Sequence, residues 1–264
     1  MTAIRTKHIE LHVGAFHLNN ISISIPRGKI TAIVGPNGSG KSTLLKVIST
    51  LLHANKGEVV LHNKPITAYR PIELAQTVAM LTQSSQPPPD MTVRELISYG
   101  RSPHKRLFDR MTAEDERHVE WALNVTGTKK HENRMIHTLS GGEQQKARIA
   151  MILAQQTNII LLDEPTTFLD IAHQLDVMEM LQKINQEYPA VTVVSVLHDL
   201  QQAANYCHHM IAMKSGAIHT AGAPKQILNP QLLKDVYNIE AKVTFEDDYP
   251  VIIPIKTLEA SRRN

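Results

Sequence analysis

The sequence predicts an α/β fold built on a mostly parallel sheet, with a helical segment inserted into it. The apolar run Ile30 to Val34 leads through a glycine-rich loop into a segment whose apolar residues recur at helical spacing. Two further short apolar runs, Ile159 to Leu162 and Val191 to Leu197, each follow a helical stretch. Strands that are apolar throughout and alternate with helices are typical of a parallel sheet buried on both faces.

The segments around these runs predict further elements. Alternating apolar and polar residues from Ile21 to Ile25 indicate a half-buried strand, and a turn follows it. Towards the C-terminus, Ala217 to Thr220 is predicted to form a short strand and Asn229-Pro230 to introduce a helix. Val251 to Ile255 contains a proline, so we expect a peripheral strand there.

The middle of the chain predicts the helical insertion. From Pro87 to about Asn133, helix starts follow one another without a strand between them. Thr92 with Glu95, and later Ser140 with Glu143, have the spacing of capping boxes, in which a hydroxyl and a carboxylate bind the free amides of a first helical turn.

Composition excludes several classes of protein. Of the 264 residues 42% are hydrophobic, which disfavours disorder, and 28 Lys and Arg against 25 Asp and Glu leave a net charge of +3, too small to predict a nucleic-acid partner. The single cysteine, Cys207, cannot form an internal disulfide, and the first residues lack the apolar core of a secretory signal. No apolar run approaches the roughly 20 residues that span a membrane. We therefore expect a chain on the cytosolic side.

A phosphate-binding loop follows the first apolar strand. It matches the P-loop pattern and lies between a strand and a helix, as that pattern requires; it consists of Gly35, Pro36, Asn37, Gly38, Ser39, Gly40, Lys41 and Ser42, with Thr43 next. Glycines let backbone amides turn towards the β- and γ-phosphates, Lys41 supplies a cation, and the Ser42 hydroxyl can bind Mg²⁺. The alternative, a glycine-rich turn with a chance lysine, is disfavoured by the flanking elements.

Two carboxylates end the apolar strand that begins at Ile159. Side chains alternate along a strand, so Asp163 and Glu164 are expected to do different work. We assign Asp163 to the Mg²⁺ shell and Glu164 to the water in line with the γ-phosphate, as its general base. Two solvated acids at a strand end are the alternative.

A second anion site is predicted at Ser140, Gly141 and Gly142, because the capping box alone gives no reason for two glycines and a bare helix N-terminus attracts anions. It lies 99 residues after Lys41. For both sites to contact one nucleotide within a monomer, the core would have to fold around the insertion. We therefore favour a head-to-tail homodimer in which each nucleotide is closed by the Ser140 helix of the other subunit.

Two single residues complete the candidate site. Gln83 follows the short apolar strand Val78 to Leu81 and could contact Mg²⁺ or the attacking water, although a lone loop glutamine is usually solvated. His198 ends the strand Val191 to Leu197 and could donate to the γ-phosphate, although a histidine at a strand end is more often structural.

Taken in order, these segments resemble the motifs of an ABC transporter nucleotide-binding subunit. They are GPNGSGKST (Gly35 to Thr43), Gln83, LSGGEQQ (Leu139 to Gln145), LLDEP (Leu161 to Pro165), Phe168-Leu169-Asp170 and Leu197-His198-Asp199, similar to the Walker A, Q-loop, signature, Walker B, D-loop and H-loop. The resemblance covers about Ile9 to Val243. It implies ATP and Mg²⁺ as cofactors and an ATP-sandwiched dimer, with Glu164 as base, His198 on the γ-phosphate, and Ser140 and Gly142 on the opposite subunit's ATP. Gly141 and Asp170 are further candidate nucleotide-binding residues.

The resemblance also implies a domain plan. We expect a P-loop NTPase fold of the ABC type, with a mostly parallel core sheet, an N-terminal antiparallel β part and an inserted helical subdomain. One domain would span residues 1–264: a core of about 1–86 and 157–243, a helical subdomain of about 87–156 that carries the signature, and a C-terminal extension of 244–264.

Three further segments resemble the ATPases of iron(III)-siderophore importers, the ferrichrome-uptake type most closely; they are Ser98 to His104, Asp163 to Gln174 and Val196 to Leu200. That class implies separate permease chains docking on the helical insertion at the cytoplasmic face of the membrane, and indirectly a siderophore-binding protein outside. Residues 83 to about 110 are the candidate coupling surface. The alternatives are haem or cobalamin import, or a soluble ABC ATPase acting on nucleic acid or ribosomes, which commonly has two cassettes or long coiled coils.

The histidines bear on two further predictions, the ring that stacks on adenine and a candidate metal site. The family usually has an aromatic residue, most often Tyr, where this chain has His12, and the resemblance implies that this residue stacks on adenine; Phe16 lies nearby, and either ring could serve. The chain has 14 histidines, including His8 and the run Cys207-His208-His209, but these lack companions at the spacing of zinc sites. Solvated or packed histidines are favoured over a metal site.

Overall fold

The computed structural model describes residues 1–83, 90–106 and 109–258. The chain divides into two compact units, the first formed by Met1–Ile66 with Val194–Asn264 and the second by Thr67–Val193. Pro87, Pro88 and Pro89, where the predicted helical insertion begins, lie outside the described residues.

The regular elements of the described chain are as follows. The strands are β1 Thr2–Val13, β2 Phe16–Pro26, β3 Ile30–Val34, β4 Lys56–Leu61, β5 Lys64–Pro65, β6 Val78–Leu81, β7 Ile159–Asp163, β8 Thr192–Val196, β9 His209–Lys214, β10 Ala217–Gly222, β11 Ile239–Glu246 and β12 Tyr249–Thr257. The α-helices are α1 Lys41–Ile48, α2 Pro71–Ala75, α3 Val93–Tyr99, α4 Ala113–Val125, α5 Gly141–Ala154, α6 Ile171–Glu187, α7 Leu200–Tyr206, α8 Pro224–Ile227 and α9 Pro230–Tyr237. Short 3₁₀ turns occur at Ile66–Ala68, Ser102–His104, Lys129–His131 and Ile136–Thr138.

The first unit contains an antiparallel sheet in the order β2-β1-β4-β5. Its β2 confirms the predicted alternation, because Ile21, Ile23 and Ile25 are buried while the serines between them are exposed. Strands β1 and β2 form a hairpin in which Leu11 pairs with Leu18. Burying one face of this hairpin supplies part of the apolar core of the unit.

The same unit contains the strand that leads into the P-loop. All five residues of β3 are buried, and β3 pairs in parallel with β9, which pairs antiparallel with β10. The Leu197 N–H, just after β8, donates to the Ile33 carbonyl at 3.1 Å. The predicted C-terminal elements are confirmed with longer bounds, and Asn229 caps α9 as expected. Strands β11 and β12 pair only with each other among the described strands, as a peripheral hairpin.

The second unit contains a parallel strand pair and helices α2 to α6. Strands β6 and β7 pair in parallel, with Leu81 opposite Leu162, and every residue of β7 is buried. Helix α5 packs against α3 and α4. The capping boxes predicted at Thr92 and Ser140 are both present, and Thr112 with Asp115 forms a third at the start of α4.

A buried ion pair ties the helices of this unit together. Arg101 and Asp115 are both 4% exposed, and the Arg101 Nε donates to Asp115 Oδ1 at 2.8 Å. The Arg101 Nη1 also donates to the Ala154 carbonyl at the end of α5, at 2.8 Å. Burial raises the pKa of Asp115, but its hydrogen bonds with Thr112 and its contact with Arg101 outweigh burial and lower that pKa to about 2.

Candidate functional site

The P-loop of the first unit is held in shape by two glycines. Gly35 has a φ of +149°, and a Cβ there would lie 2.3 Å from the Met213 carbonyl oxygen. Gly40 has a φ of +100° and caps α1, so the loop turns directly into a helix N-terminus. A side chain at either position would strain the backbone or collide with β9 or β2. The packing of the loop against β9 and β2 therefore requires glycine at both positions.

Lys41 occupies the first position of α1 and is 5% exposed. Its Nζ donates to the carbonyls of Gly35 at 2.9 Å and Pro36 at 3.0 Å. These carbonyls hold the ammonium beside the loop, where a nearly buried cation needs acceptors. Ser42 and Thr43 follow in the first turn of α1, partly exposed, where amides of a helix N-terminus attract anions.

The two rings considered for adenine stacking, His12 and Phe16, make different contacts at the tip of the β1–β2 hairpin. The ring of His12 stacks on His17, with centroids 5.7 Å apart and an interplanar angle of 29°. The His12 N–H donates to Asn55 Oδ1 at 2.7 Å. A Cβ at Gly40 would lie 2.7 Å from the Phe16 Cζ, so Phe16 packs directly against the P-loop. His12 is the exposed ring, and Phe16 is the ring in contact with the loop.

The carboxylates of the second unit differ in burial. Asp163 is the last residue of β7 and is 4% exposed, whereas Glu164 lies beyond the strand and is partly exposed. Glu164 has a φ of +55°, in the left-handed region that a non-glycine residue rarely adopts. The two acids are therefore separated by a change of backbone conformation, and not by the strand alternation on which the prediction rested.

Gln83 and Glu164 come together in this unit. The Gln83 Nε2 donates to Glu164 Oε2 at 2.7 Å, and the Thr167 hydroxyl donates to the same oxygen at 3.1 Å. The parallel pairing of β6 with β7 explains the contact, because both residues follow the carboxyl ends of neighbouring strands. Two donors thus fix the orientation of the Glu164 carboxylate.

The start of α5, where the sequence predicts a second anion site, has a capping box. Ser140 caps the helix: its N–H donates to Glu143 Oε2 at 2.9 Å, and its hydroxyl accepts from the Glu143 N–H at 3.3 Å. The backbone hydrogen bond from Ser140 lowers the pKa of Glu143, which keeps that carboxylate charged in the first turn.

His173 accounts for the second glycine of this segment. A Cβ at Gly142 would lie 2.1 Å from the His173 Cδ2, whereas one at Gly141 would meet Leu169 only at 3.9 Å. Asp170 caps α6 by accepting the His173 N–H at 2.9 Å, and its Oδ1 also contacts His173 Nδ1 at 2.8 Å. Sequence reasoning gave His173 no role, although its position three residues after a helix cap was a usable signal.

His198 lies in the first unit, in the exposed residues that follow β8. Because Leu197 hydrogen-bonds to Ile33 of β3, His198 comes at the end of the strand that runs beside the P-loop strand. The next residue, Asp199, caps α7 by accepting the Gln201 and Gln202 N–H groups at 2.7 Å and 3.1 Å. Because the helix cap at Asp199 immediately follows His198, it restrains the backbone of His198.

The candidate coupling surface is described in part, since residues 84–89 and 107–108 lie outside the described residues. A shallow cleft of about 560 Å³ is lined by Arg94, Ser98, Tyr99 and Lys105 among others. Tyr99 is 64% exposed there. A Cβ at Gly100 would lie 2.1 Å from the Met151 carbonyl oxygen. Gly100 therefore does more than end α3: it lets this helix end pack tightly on α5.

The run Cys207-His208-His209 is mixed in burial: Cys207 is buried, His208 is exposed and His209 is partly exposed. Burial raises the pKa of the Cys207 thiol to about 12, and burial lowers the pKa of His208, whose Nδ1 lies 3.2 Å from the Ile30 amide nitrogen. Within residues 1–83, 90–106 and 109–258, no three His, Cys, Asp or Glu side chains gather as a metal site. None of the helices within those residues has the length and apolar character to cross a membrane.

Comparison with known proteins agrees with the motifs. Residues 18–167 match the family model described as ABC transporter. The chain is 42% identical to the petrobactin import ATP-binding protein FpuC of Bacillus anthracis, over 92% of this chain and 89% of that protein. It is 42% identical to the iron(3+)-hydroxamate import ATP-binding protein FhuC of Bacillus subtilis, over 92% and 90%, and 41% identical to the ferric enterobactin transport ATP-binding protein FepC of Escherichia coli, over 99% and 97%.

Solved structures share the fold. A transporter described as of metal-chelate type, in an inward-facing conformation, superposes with a TM-score of 0.84 at 23% identity, over 97% of this chain and 98% of that one. The dimeric ATP-binding cassette MJ0796 bound to ADP and phosphate superposes with a TM-score of 0.71 at 29% identity, over 84% and 98%. The predicted α/β fold of the P-loop ABC type is confirmed. The chain belongs to the ABC transporter family, as a nucleotide-binding ATPase similar to the ATP-binding proteins of siderophore import.

Proposed function

We propose that this chain is the ATP-hydrolysing subunit that drives import of an iron(III)-siderophore, of the hydroxamate class, through a separate membrane permease. The observation that carries the siderophore assignment is the match to FpuC, FhuC and FepC at 41–42% identity over at least 92% of this chain, because they are named for petrobactin import, iron(3+)-hydroxamate import and ferric enterobactin transport. The hydroxamate class rests on FhuC. Haem and cobalamin remain the competing cargoes.

Each site residue takes a separate role in this proposal. Lys41 and the amides of the P-loop bind the β- and γ-phosphates, because they pair a cation with a helix N-terminus. Glu164 takes the proton from the attacking water, and Gln83 and Thr167 orient its carboxylate. His198 donates to the γ-phosphate. His12, the exposed ring, stacks on adenine, while Phe16 supports the loop.

The residues present suit Mg²⁺. Asp163 offers a carboxylate oxygen that is nearly buried, a setting in which a carboxylate needs a cation or strong donors. With the Ser42 hydroxyl and the Gln83 amide oxygen, the donor set is all oxygen, as Mg²⁺ prefers. When bound with ATP, the ion would neutralise charge that develops on the phosphates.

A homodimer completes the proposal. Ser140, Gly141, Gly142 and Asp170 contact the nucleotide of the partner subunit in a head-to-tail sandwich, and MJ0796 is a dimeric cassette in its own structure. The permease docks on a helical subdomain of about residues 87–156, at the cytoplasmic face of the membrane, and a binding protein outside the cell delivers the chelate to that permease.

Uptake in a strain that lacks this protein tests the cargo. We expect the wild-type chain to restore uptake of ⁵⁵Fe-labelled ferrichrome, and the Glu164→Gln chain, expressed to the same level, not to restore it. Labelled haem and cobalamin are supplied in parallel. Restored uptake of haem or cobalamin without ferrichrome would replace the siderophore assignment and leave the ATPase role intact.

A further inference from the structure

A second cleft in the Thr67–Val193 unit lies away from the residues considered so far. It has a volume of about 350 Å³ and lies where α5 and α6 end, beside the start of β7. Its apolar lining includes Leu153, Ile160 and Ile184, which are 1–3% exposed. A pocket of this size with an apolar floor can hold a small organic molecule.

Two aromatic rings line the cleft. Trp121 and Tyr188 have ring centroids 5.2 Å apart and planes at 84° to each other. The Trp121 Nε1 donates to the Tyr188 hydroxyl at 2.7 Å, which holds the pair in this arrangement. A cation is attracted to the electron-rich face of an aromatic ring, and both residues of this pair line the cleft.

The charges at the cleft are negative. Glu187 is the charged residue among those that line it, and it ends α6, a helix of 17 residues with no basic residue in its last turn. The partial negative charge of this helix end is therefore not offset within its last turn. Lys183 lies 4.0 Å from Glu187, but both side chains are well exposed, and such a pair contributes little.

The C-terminal end of α5, unlike that of α6, has its partial negative charge offset by a cation. Its Ala154 carbonyl accepts from Arg101, so a buried cation already neutralises it. The negative groups at the cleft are therefore Glu187 and the C-terminal end of α6, next to Tyr188.

From these features we propose that the cleft binds a small organic cation, an ammonium or guanidinium group on an apolar stem. The apolar floor takes the stem, the rings of Trp121 and Tyr188 take the charged head, and Glu187 with the end of α6 supplies the opposite charge. Ligand binding at this cleft is independent of the proposed ATPase function and is tested without nucleotide.

Trp121 is the only tryptophan in the sequence, so fluorescence excited at wavelengths that tryptophan absorbs and the six tyrosines do not reports on this cleft. We titrate it with choline and with 3,3-dimethylbutan-1-ol, a neutral molecule of the same shape, at constant ionic strength. We expect a saturable change with choline and a dissociation constant at least about tenfold lower than that of the alcohol. Agmatine, a guanidinium compound, should compete with choline. Equal constants for choline and the alcohol, or no saturation with either cation, would overturn the proposal.

Variants locate the site by calorimetry with choline. Glu187→Gln and Tyr188→Leu should each weaken binding about three- to tenfold, and Lys183→Gln, the matched control on the same helix, should not weaken it. Binding that is unchanged in both Glu187→Gln and Tyr188→Leu would place the cation elsewhere and contradict the assignment. The comparison of the two probes on the wild-type chain needs no variant to fold.

Discussion

The Gln83 Nε2 lies 2.7 Å from Glu164 Oε2 and donates a hydrogen bond to it, although the two residues are 81 positions apart in the chain. This bond joins the second residue after β6 to the first residue after β7. The carboxylate of Glu164, proposed as the general base, is thereby oriented by Gln83, the first residue of the candidate coupling surface. A change in the position of Gln83 would act directly on Glu164.

Replacing Gln83 should therefore slow turnover more than it weakens nucleotide binding. For Gln83→Ala we expect kcat to fall about tenfold, the value of one hydrogen bond that positions the base, with a smaller rise in KM for ATP from the loss of one proposed Mg²⁺ ligand. Thr167→Ala removes the other donor to the same oxygen and should have a similar effect. Steady-state hydrolysis measures both, and an unchanged kcat in Gln83→Ala would remove the positioning role.

The contact of Gly142 with His173 predicts a specific loss of stability. Because a Cβ at Gly142 would collide with the His173 ring, Gly142→Ala should lower the free energy of unfolding by about 1–3 kcal/mol in urea. Gly141→Ala is the matched control, since its Cβ has room, and it should not be destabilising. Adding His173→Ala to Gly142→Ala should restore most of the loss; a double variant as unstable as Gly142→Ala would show that the clash lies elsewhere.

The buried pair of Arg101 and Asp115 predicts a pH dependence. The folded-state pKa of Asp115 is lowered to about 2 from 3.8, so its contribution to stability is present above pH 4 and is lost as pH falls towards 2. The full contribution is about 2 kcal/mol, of which about 1 kcal/mol is lost by pH 3.

Urea unfolding at several pH values measures this contribution. Asp115→Asn should be less stable than the wild-type chain at pH 7, because it leaves the Arg101 guanidinium without its carboxylate. The difference between the two chains should shrink between pH 5 and pH 3. A difference that stays constant over that range would contradict the assignment to Asp115.

The hairpin rings predict different phenotypes. His12→Ala should raise the apparent Kd for ATP about three- to tenfold with little change in maximal rate, because it removes a stacking ring. His17→Ala is the control for loss of the histidine stack itself. Phe16→Leu should act on stability more than on affinity, since Phe16 packs against Gly40. Unchanged ATP affinity in His12→Ala would reject the stacking role.

Local signals made much of this structure predictable. The all-apolar β3, the glycine loop and α1 are consecutive in the chain, and the capping boxes at Thr92 and Ser140 span only four residues each. Short-range patterns of this kind determine strands, loops and helix starts before tertiary packing is known.

The contacts that define the site were less predictable. Gly142 meets His173 across 31 positions, and Arg101 meets Asp115 through the packing of α3 and α4. The left-handed backbone of Glu164 is set by the loop after β7, which strand periodicity does not describe. Such features depend on how elements pack, and periodicity within one element contains no information about them.

The most direct test of the central claim is multiple-turnover ATP hydrolysis by the wild-type chain and by Glu164→Gln, with ATP binding measured on the same samples. We expect the variant to bind ATP within about twofold of the wild type, to form an ATP-dependent dimer and to lose at least about 100-fold in kcat. Multiple turnover that persists in Glu164→Gln at close to the wild-type rate would contradict the account.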